Sequence, residues 1–434
     1  MRRRIRVALT AAVVVGSLAG ASSALATKTV CASGCPFTSI NAAIAGLPSG
    51  STITIGEGEF VENVVVNKED TLKGTGTTKT VIRPAVSKPE CEPGTLCGGE
   101  ASNIVLVEAN NVTVESMTLN GSNPGLAGGV ERGGVKVDAR NGVLANFDAG
   151  SFSNMTVARV KIANVFLRGI YQGSENTFNF NHDIVENVQG DESSIAMFAF
   201  GSSGVFSSNK VTKANDAISA NWSTGIQFVG NTVTASGSGL HTDNNGGFGG
   251  SADLIKGNKV SACKTNGYGI FVFAPYVSAT VESNAIKGCA VGIAAFGSQV
   301  SGQGPKFVKN IANGHGAAAT EPTYGAYLTT DLLGFGFGDL TVTLEGNTFS
   351  HFATGMLVTQ TKPTAGQPAG GQATVTATPD NQFTFDSTGA YGEANTVVNA
   401  KEDWWGCAAG PNHAPPCTSA LGTVVFEPFL TVRP

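Results

Sequence analysis

The feature that most constrains this chain is a six-residue phrase, apolar-x-x-Asn-x-apolar, that returns at a near-constant interval. It reads FSSNKV, FVGNTV, IKGNKV, VESNAI and LEGNTF, with Asn209, Asn231, Asn258, Asn284 and Asn347 in the shared slot. Looser copies put Asp183, Asn310 and Asn381 there, and the steps from Asp183 to Asn310 are 26, 22, 27, 26 and 26 residues. A unit that short cannot bury its own apolar face, so it must stack on its neighbours. The period suits one turn of a coil made of three short strands, and later steps of 37 and 34 residues carry insertions.

A second anchor, a small residue followed by an aliphatic one, accompanies the Asn. It appears as Gly169-Ile170, Ser194-Ile195, Ala217-Ile218, Gly239-Leu240, Gly269-Ile270, Gly292-Ile293, Gly325-Ala326, Gly355-Met356 and Gly389-Ala390. The aliphatic member is expected to face a core, and alternation then turns the next residue outward. The Asn slot reads as a tight bend, because Asn tolerates the left-handed backbone region and its amide can bond along a stack of amides. Cys263 and Cys289 each follow their Asn by five residues, so the coil sets them one above the other at ~4.8 Å, as a disulfide or as stacked thiols.

Composition agrees with many short strands: 57 Gly in 434 residues and 14% charged side chains disfavour helices. The opening MRRRIRVALTAAVVVGSLAGASSALA has the layout of a secretory signal peptide over residues 1–26. Without its four arginines, 23 basic residues face 32 acidic ones, a net charge of −9 that argues against a nucleic-acid partner. No membrane span is expected in the mature chain, which is read as secreted and extracellular. Eight cysteines fit that compartment. Cys31 with Cys35, Cys91 with Cys97, and Cys407 with Cys417 are the simplest local pairs, although spacing leaves the connectivity open. FTSINAAIAGL has apolar Phe37, Ile40, Ala43, Ile44 and Leu47 at helical spacing, suited to plugging the first coil. Residues 27–60 are thus expected to form an N-terminal cap and first coil, and 395–434, with Trp404 and Trp405, a C-terminal cap of one domain over 27–434.

These segments carry a family resemblance. FTSINAAIAGLPSGSTITIGEGEFVENVVV, followed by LKGTG and TVIRP, resembles the opening coils of the secreted pectin lyase-like proteins, and DWWGCAAGP is similar to the end of many exported β-helix proteins. The resemblance implies an all-β, single-domain right-handed parallel β-helix. It also implies a polysaccharide or cell-surface glycan partner, held on the outer face of the strand after the small-aliphatic anchor. The activities at issue are those of a lyase, a hydrolase or an epimerase, and the alternative is a non-catalytic surface or adhesive protein using the coil as a rigid scaffold.

Outward positions on that strand are Lys136, Asp138 and Arg140, then Tyr171, Phe198, Phe200, Ser219, Asn221, His241, Asp243, Phe271, Phe273, Phe296, Tyr327 and Leu357. His241 and Asp243, with Asn221 one coil earlier, are the catalytic candidates, since a His beside a carboxylate can move protons near neutral pH. The aromatic row from Tyr171 to Tyr327 reads as a sugar platform, or else as core beneath folded loops. Lys136, Asp138 and Arg140 read as a trio for binding a uronate, four coils away. Each polar group has a plainer reading as solvated surface. The motif sets of polygalacturonases, calcium-dependent pectate lyases and pectin methylesterases are absent. Calcium is the one cofactor with a candidate place, between Asp243 and Asp253 around GGFGG, at a spacing that matches neither the EF-hand nor the nonapeptide pattern. His182, His315, His351 and His413 read as surface residues.

Overall fold

The computed structural model describes residues 28–434 except 175, 245–249, 274–277, 298–303, 332–337 and 361–370. Residues 1–26, expected to be a signal peptide, lie outside the described residues. Each repeat contributes three strands, as in Gln227–Val229, Thr232–Thr234 and Ser238–Asn244. Each of these pairs in parallel with its counterpart one coil later, in Leu254–Lys256, Lys259–Ser261 and Tyr268–Phe273. The coils therefore stack into three parallel walls, a right-handed parallel β-helix. An antiparallel two-stranded ribbon, Val130–Arg132 with Val135–Val137, stands apart from the walls. Among the described residues no helix is long and apolar enough to cross a membrane.

The third wall follows from the small-aliphatic anchor. Ile170, Met197, Ile218, Leu240, Ile270, Ile293, Ala326, Met356 and Ala390 stand in one parallel register and are fully buried. One coil corrects the reading: there the pair is Ala196-Met197, and Ile195 lies in an outer row with Arg168 and Asp216. The glycine is required where coils touch most closely, since a Cβ on Gly239 would sit 2.2 Å from the carbonyl oxygen of Gly269.

The asparagine slot forms a buried ladder. Asn231 donates its backbone N–H to Oδ1 of Asn258 at 2.8 Å, and its Nδ2 donates to the same oxygen and to the carbonyl of Phe206. Asn258, Asn284, Asn310 and Asn347 repeat the pattern, which ends on Asp403. The left-handed backbone, however, belongs to the residue before the Asn: His182, Ser208, Gly230, Gly257, Ser283, Lys309 and Gly346 all have φ between 54° and 66°. The amide must aim along the stack and stay buried, so the exposed preceding residue absorbs the turn.

Both ends are closed by side chains. Ile40–Gly46 is a helix with Ser39 as N-cap, and Ile40, Ala43 and Ile44 are buried against the first coil. Glu62 accepts from the Ile40 and Asn41 N–H groups, meeting donors that a helix start leaves unpaired. Phe37 falls outside the helix and bridges Val30 in extended form. At the far end Trp405 is fully buried, 4.9 Å from Phe383 between ring centroids. Four disulfides join Cys31 to Cys35, Cys91 to Cys97, Cys263 to Cys289 and Cys407 to Cys417. The Cys263 and Cys289 Cα atoms are 4.8 Å apart on adjacent coils.

Candidate functional site

Polar chemistry on the outer face of the third wall gathers around Asp216. This residue opens the strand Asp216–Ser223 and stands in register with Arg168 two coils before and Ser238 one coil after. Ser219, three residues on, and His241, its register partner one coil later, both reach Asp216. Asp216 accepts hydrogen bonds from the Ser219 and Ser238 hydroxyls, and its Oδ2 is 3.8 Å from His241 Nδ1. Burial acts to raise the Asp216 pKa, but the hydrogen bond and charge of His241 and the two hydroxyls outweigh it and hold the group below the usual carboxylate range.

The His241 ring is fixed by stacking on Phe271, with centroids 4.2 Å apart and planes 21° from parallel, and by an edge contact to Phe273 at 6.2 Å. Its Nε2 is buried and has no hydrogen-bond partner, and the same holds for Asn221 Oδ1 and Arg168 Nε. Asp243, two residues beyond His241, is buried, and that burial pushes its pKa up to about 6 against the opposing charge of His241 and the backbone of Trp222. Thus His241 and Asp243 share one strand, and Asn221 lies on the strand one coil before, where the register shifts between Ala220 and Ser223. The carboxylate paired with the imidazole is Asp216, one coil away, and not Asp243.

Asp253 accepts from Thr242 Oγ1 at 2.5 Å, Asn244 Nδ2 at 2.8 Å and the Ile226 N–H at 2.9 Å, so its oxygens already serve as acceptors inside the fold. Among the described residues no group of three or more acidic, His or Cys side chains is placed to hold a metal. The GGFGG segment expected as a place for calcium falls largely on 245–249, outside the described residues.

The aromatic row divides. Tyr171, Phe198 and Phe296 are buried, while Phe271, Phe273 and Tyr327 are half-buried against Phe296. Only part of the row can meet a ligand: Phe200 is 44% exposed, and Trp222, absent from the sequence reading, is 50% exposed. Trp222 sits at a strand irregularity between Ala220 and Ser223, with φ 53°. With Phe147, Tyr171 and Phe200 it lines a depression of about 750 Å³. A second depression of about 470 Å³ shares Ser203, Thr224 and Gly250 with it.

The trio expected to bind a uronate is bonded elsewhere. Lys136 lies in the antiparallel ribbon and donates to the Leu126 carbonyl. Asp138 is wholly buried and accepts from Ser87 Oγ at 2.7 Å and the Asn123 N–H at 2.8 Å. Arg140 is buried and donates to the carbonyls of Pro89, Gly94 and Thr95. Asp138 and Arg140 thereby pin the segment between residues 84 and 102 to the coil. His315 and His351 are also not isolated, since their rings are 5.7 Å apart and His351 stacks on the exposed Phe385.

Wall register, ladder and caps define the class: a right-handed parallel β-helix protein. Solved structures share the architecture. The catalytic unit of a thermostable GH87 alpha-1,3-glucanase from Streptomyces thermodiastaticus strain HF3-3 is 14% identical, with a TM-score of 0.55 over 90% of this chain and 66% of that one. The A-module of the Azotobacter vinelandii mannuronan C-5 epimerase AlgE6 is 16% identical, with a TM-score of 0.48 over 90% and 94%. The periplasmic alginate epimerase AlgG is 12% identical, with a TM-score of 0.45 over 87% and 77%. At these identities the likeness concerns the fold alone. No family model matches the chain and no curated protein matches it in sequence.

Proposed function

We propose that this chain is an exported protein, one β-helix domain following a cleaved leader, that binds a polysaccharide along the outer face of the third wall and moves protons on it. Four disulfides support an oxidising compartment. The observation that carries the reading is the convergence of unpartnered polar atoms, His241 Nε2 and Asn221 Oδ1, beside the acid Asp243 and an exposed aromatic surface. Buried polar atoms without partners carry a free-energy cost unless a ligand or water meets them.

With Nδ1 facing Asp216, the His241 proton belongs on that nitrogen, leaving the Nε2 lone pair to act as general base. Asp243, protonated below about pH 6, is the general acid, and Asn221 orients the substrate. Phe271 and Phe273 hold the imidazole, and Phe200, Trp222 and Tyr327 offer ring faces to sugars. The test is turnover on a panel of polysaccharides, followed as reducing ends and as ultraviolet absorbance of unsaturated products. Loss of turnover in His241→Ala supports the assignment, and unchanged turnover in that variant overturns it. Binding without product would make the protein a non-catalytic surface binder.

A further inference from the structure

Resting on that reading, we infer that the substrate is a neutral glycan, seated on Trp222 and Phe200 and opened by hydrolysis rather than by abstraction of a sugar C–H proton. The lining of the two adjoining depressions decides the substrate class. Among the described residues neither depression is lined by any charged side chain. Their polar groups are hydroxyls such as Ser174, Ser202, Thr224 and Ser251, together with the Gln227 amide. Rings and uncharged donor-acceptor groups match the alternating C–H faces and hydroxyls of an uncharged sugar. A uronate chain would carry one carboxylate per residue and would need cations along its path.

Two cations on neighbouring coils bond inside the fold, and Arg168 leaves its buried Nε unpartnered. Arg168 is buried with its guanidinium 4.9 Å from the centroid of the Phe198 ring, and it donates to the Ser193 carbonyl. Lys264 donates to Asn215 Oδ1 at 2.8 Å. Around His241 the acidic neighbours are Asp216, held ionised, and Asp243, which keeps its proton below about pH 6. Abstraction of a proton beside a carboxylate places further negative charge on that carboxylate, which the Asp216 carboxylate does nothing to offset. Hydrolysis has no such need. Water gives its proton to His241 Nε2 as its oxygen bonds to the anomeric carbon, the glycosidic C–O bond breaks, and the leaving oxygen takes the proton of Asp243.

Trp222 is held half in water on a left-handed backbone, a conformation that L-residues adopt at a cost and that glycine adopts freely, so Trp222→Gly removes the ring without straining the fold.

The experiment measures affinity and products for full-length mature protein with neutral glucans, galactans and xylans, and with alginate and polygalacturonate. Trp222→Gly and Phe200→Ser are compared with Phe385→Ser, an exposed aromatic on another corner. The expected result is binding of a neutral polymer that is insensitive to salt, weakened at least tenfold in Trp222→Gly and Phe200→Ser but not in Phe385→Ser, with reducing ends and no unsaturated product. The melting temperature of Trp222→Gly is expected to equal or exceed that of wild type, which separates loss of binding from loss of fold. Preference for a uronate, unsaturated product, or wild-type affinity in Trp222→Gly overturns this inference while leaving glycan binding on this wall intact. No binding to any polymer overturns both.

Discussion

At the scale of single residues, the proposed chemistry rests on how His241 is held. Phe271 lies flat against its ring, Asp216 faces Nδ1, and Nε2 is left bare. Replacing His241 by Ala is expected to lower kcat by about 10²–10⁴-fold, the range for loss of a positioned acid or base. Asp243 must be protonated to act, so the rate is expected to fall as pH rises through about 6, and Asp243→Asn is expected to remove that limb of the profile. Both are read from initial rates across pH 4–9. Asp216 was not legible as the partner of His241, because the two are 25 positions apart and meet only through inter-coil register, whereas Asp243 attracts attention by lying on the same strand. Trp222 was hidden differently: strict alternation gives it an inward direction, and only the irregularity after Ala220 turns it out. The bend residues carry a further expectation. Lys309 has φ 54° where Gly230 and Gly257 stand in equivalent slots, so Lys309→Gly is expected to stabilise the fold by about 0.5–1 kcal/mol in urea unfolding.

At the scale of elements, the Asn ladder couples each coil to the next. Asn284 accepts from the N–H and Nδ2 of Asn258 and donates to the Ile255 carbonyl and to Asn310 Oδ1. Asn284→Ala would leave buried donors and an acceptor unpaired, and a loss of about 2–5 kcal/mol is expected by denaturant titration. The ladder ends on an acid. Burial pushes the Asp403 carboxyl up to about 8 against the bonds it accepts from Asn381, and its Oδ2 has no partner. A carboxyl with a raised folded pKa binds its proton more tightly when folded. Its stabilising contribution is therefore whole below the unfolded value near 3.9 and is lost as pH rises through about 8. Asp403→Asn keeps the accepting oxygen, so its melting temperature is expected to exceed wild type at pH 8 and to match it at pH 4. The period, the slots and the inward aliphatic row were legible because stacking forces the same residue types to recur. The position of the left-handed residue was not, because Ser, Lys and His can occupy it as well as Gly.

At the scale of the whole molecule, three walls of short strands give one long surface whose rows repeat every ~4.8 Å. Such a surface suits a polymer better than a compact ligand, and its groups differ along its length: an aromatic depression near Phe200 and Trp222, the His241–Asp216 pair proposed for proton transfer, and a half-buried aromatic cluster from Tyr268 to Tyr327. The insertions that set Lys136, Asp138 and Arg140 aside were not legible from alternation, because residues 84–102 leave the repeat and return to bond Asp138 and Arg140, while Lys136 is drawn to the Leu126 carbonyl. Asp183, Asp386 and Asp403 all have raised carboxyl pKa values from burial, so a melting-temperature series is expected to decline between about pH 5 and 8. Asp216, held low, contributes in the opposite sense, losing stability as pH falls below the carboxylate range. The most direct measurement is a crystal structure of the protein soaked with a neutral oligosaccharide that it binds. Sugar rings lying on Trp222 and Phe200, with a glycosidic oxygen within hydrogen-bonding reach of Asp243 and water at His241 Nε2, are the expected result. Sugar bound on either of the other two walls, with this face bare, would contradict it.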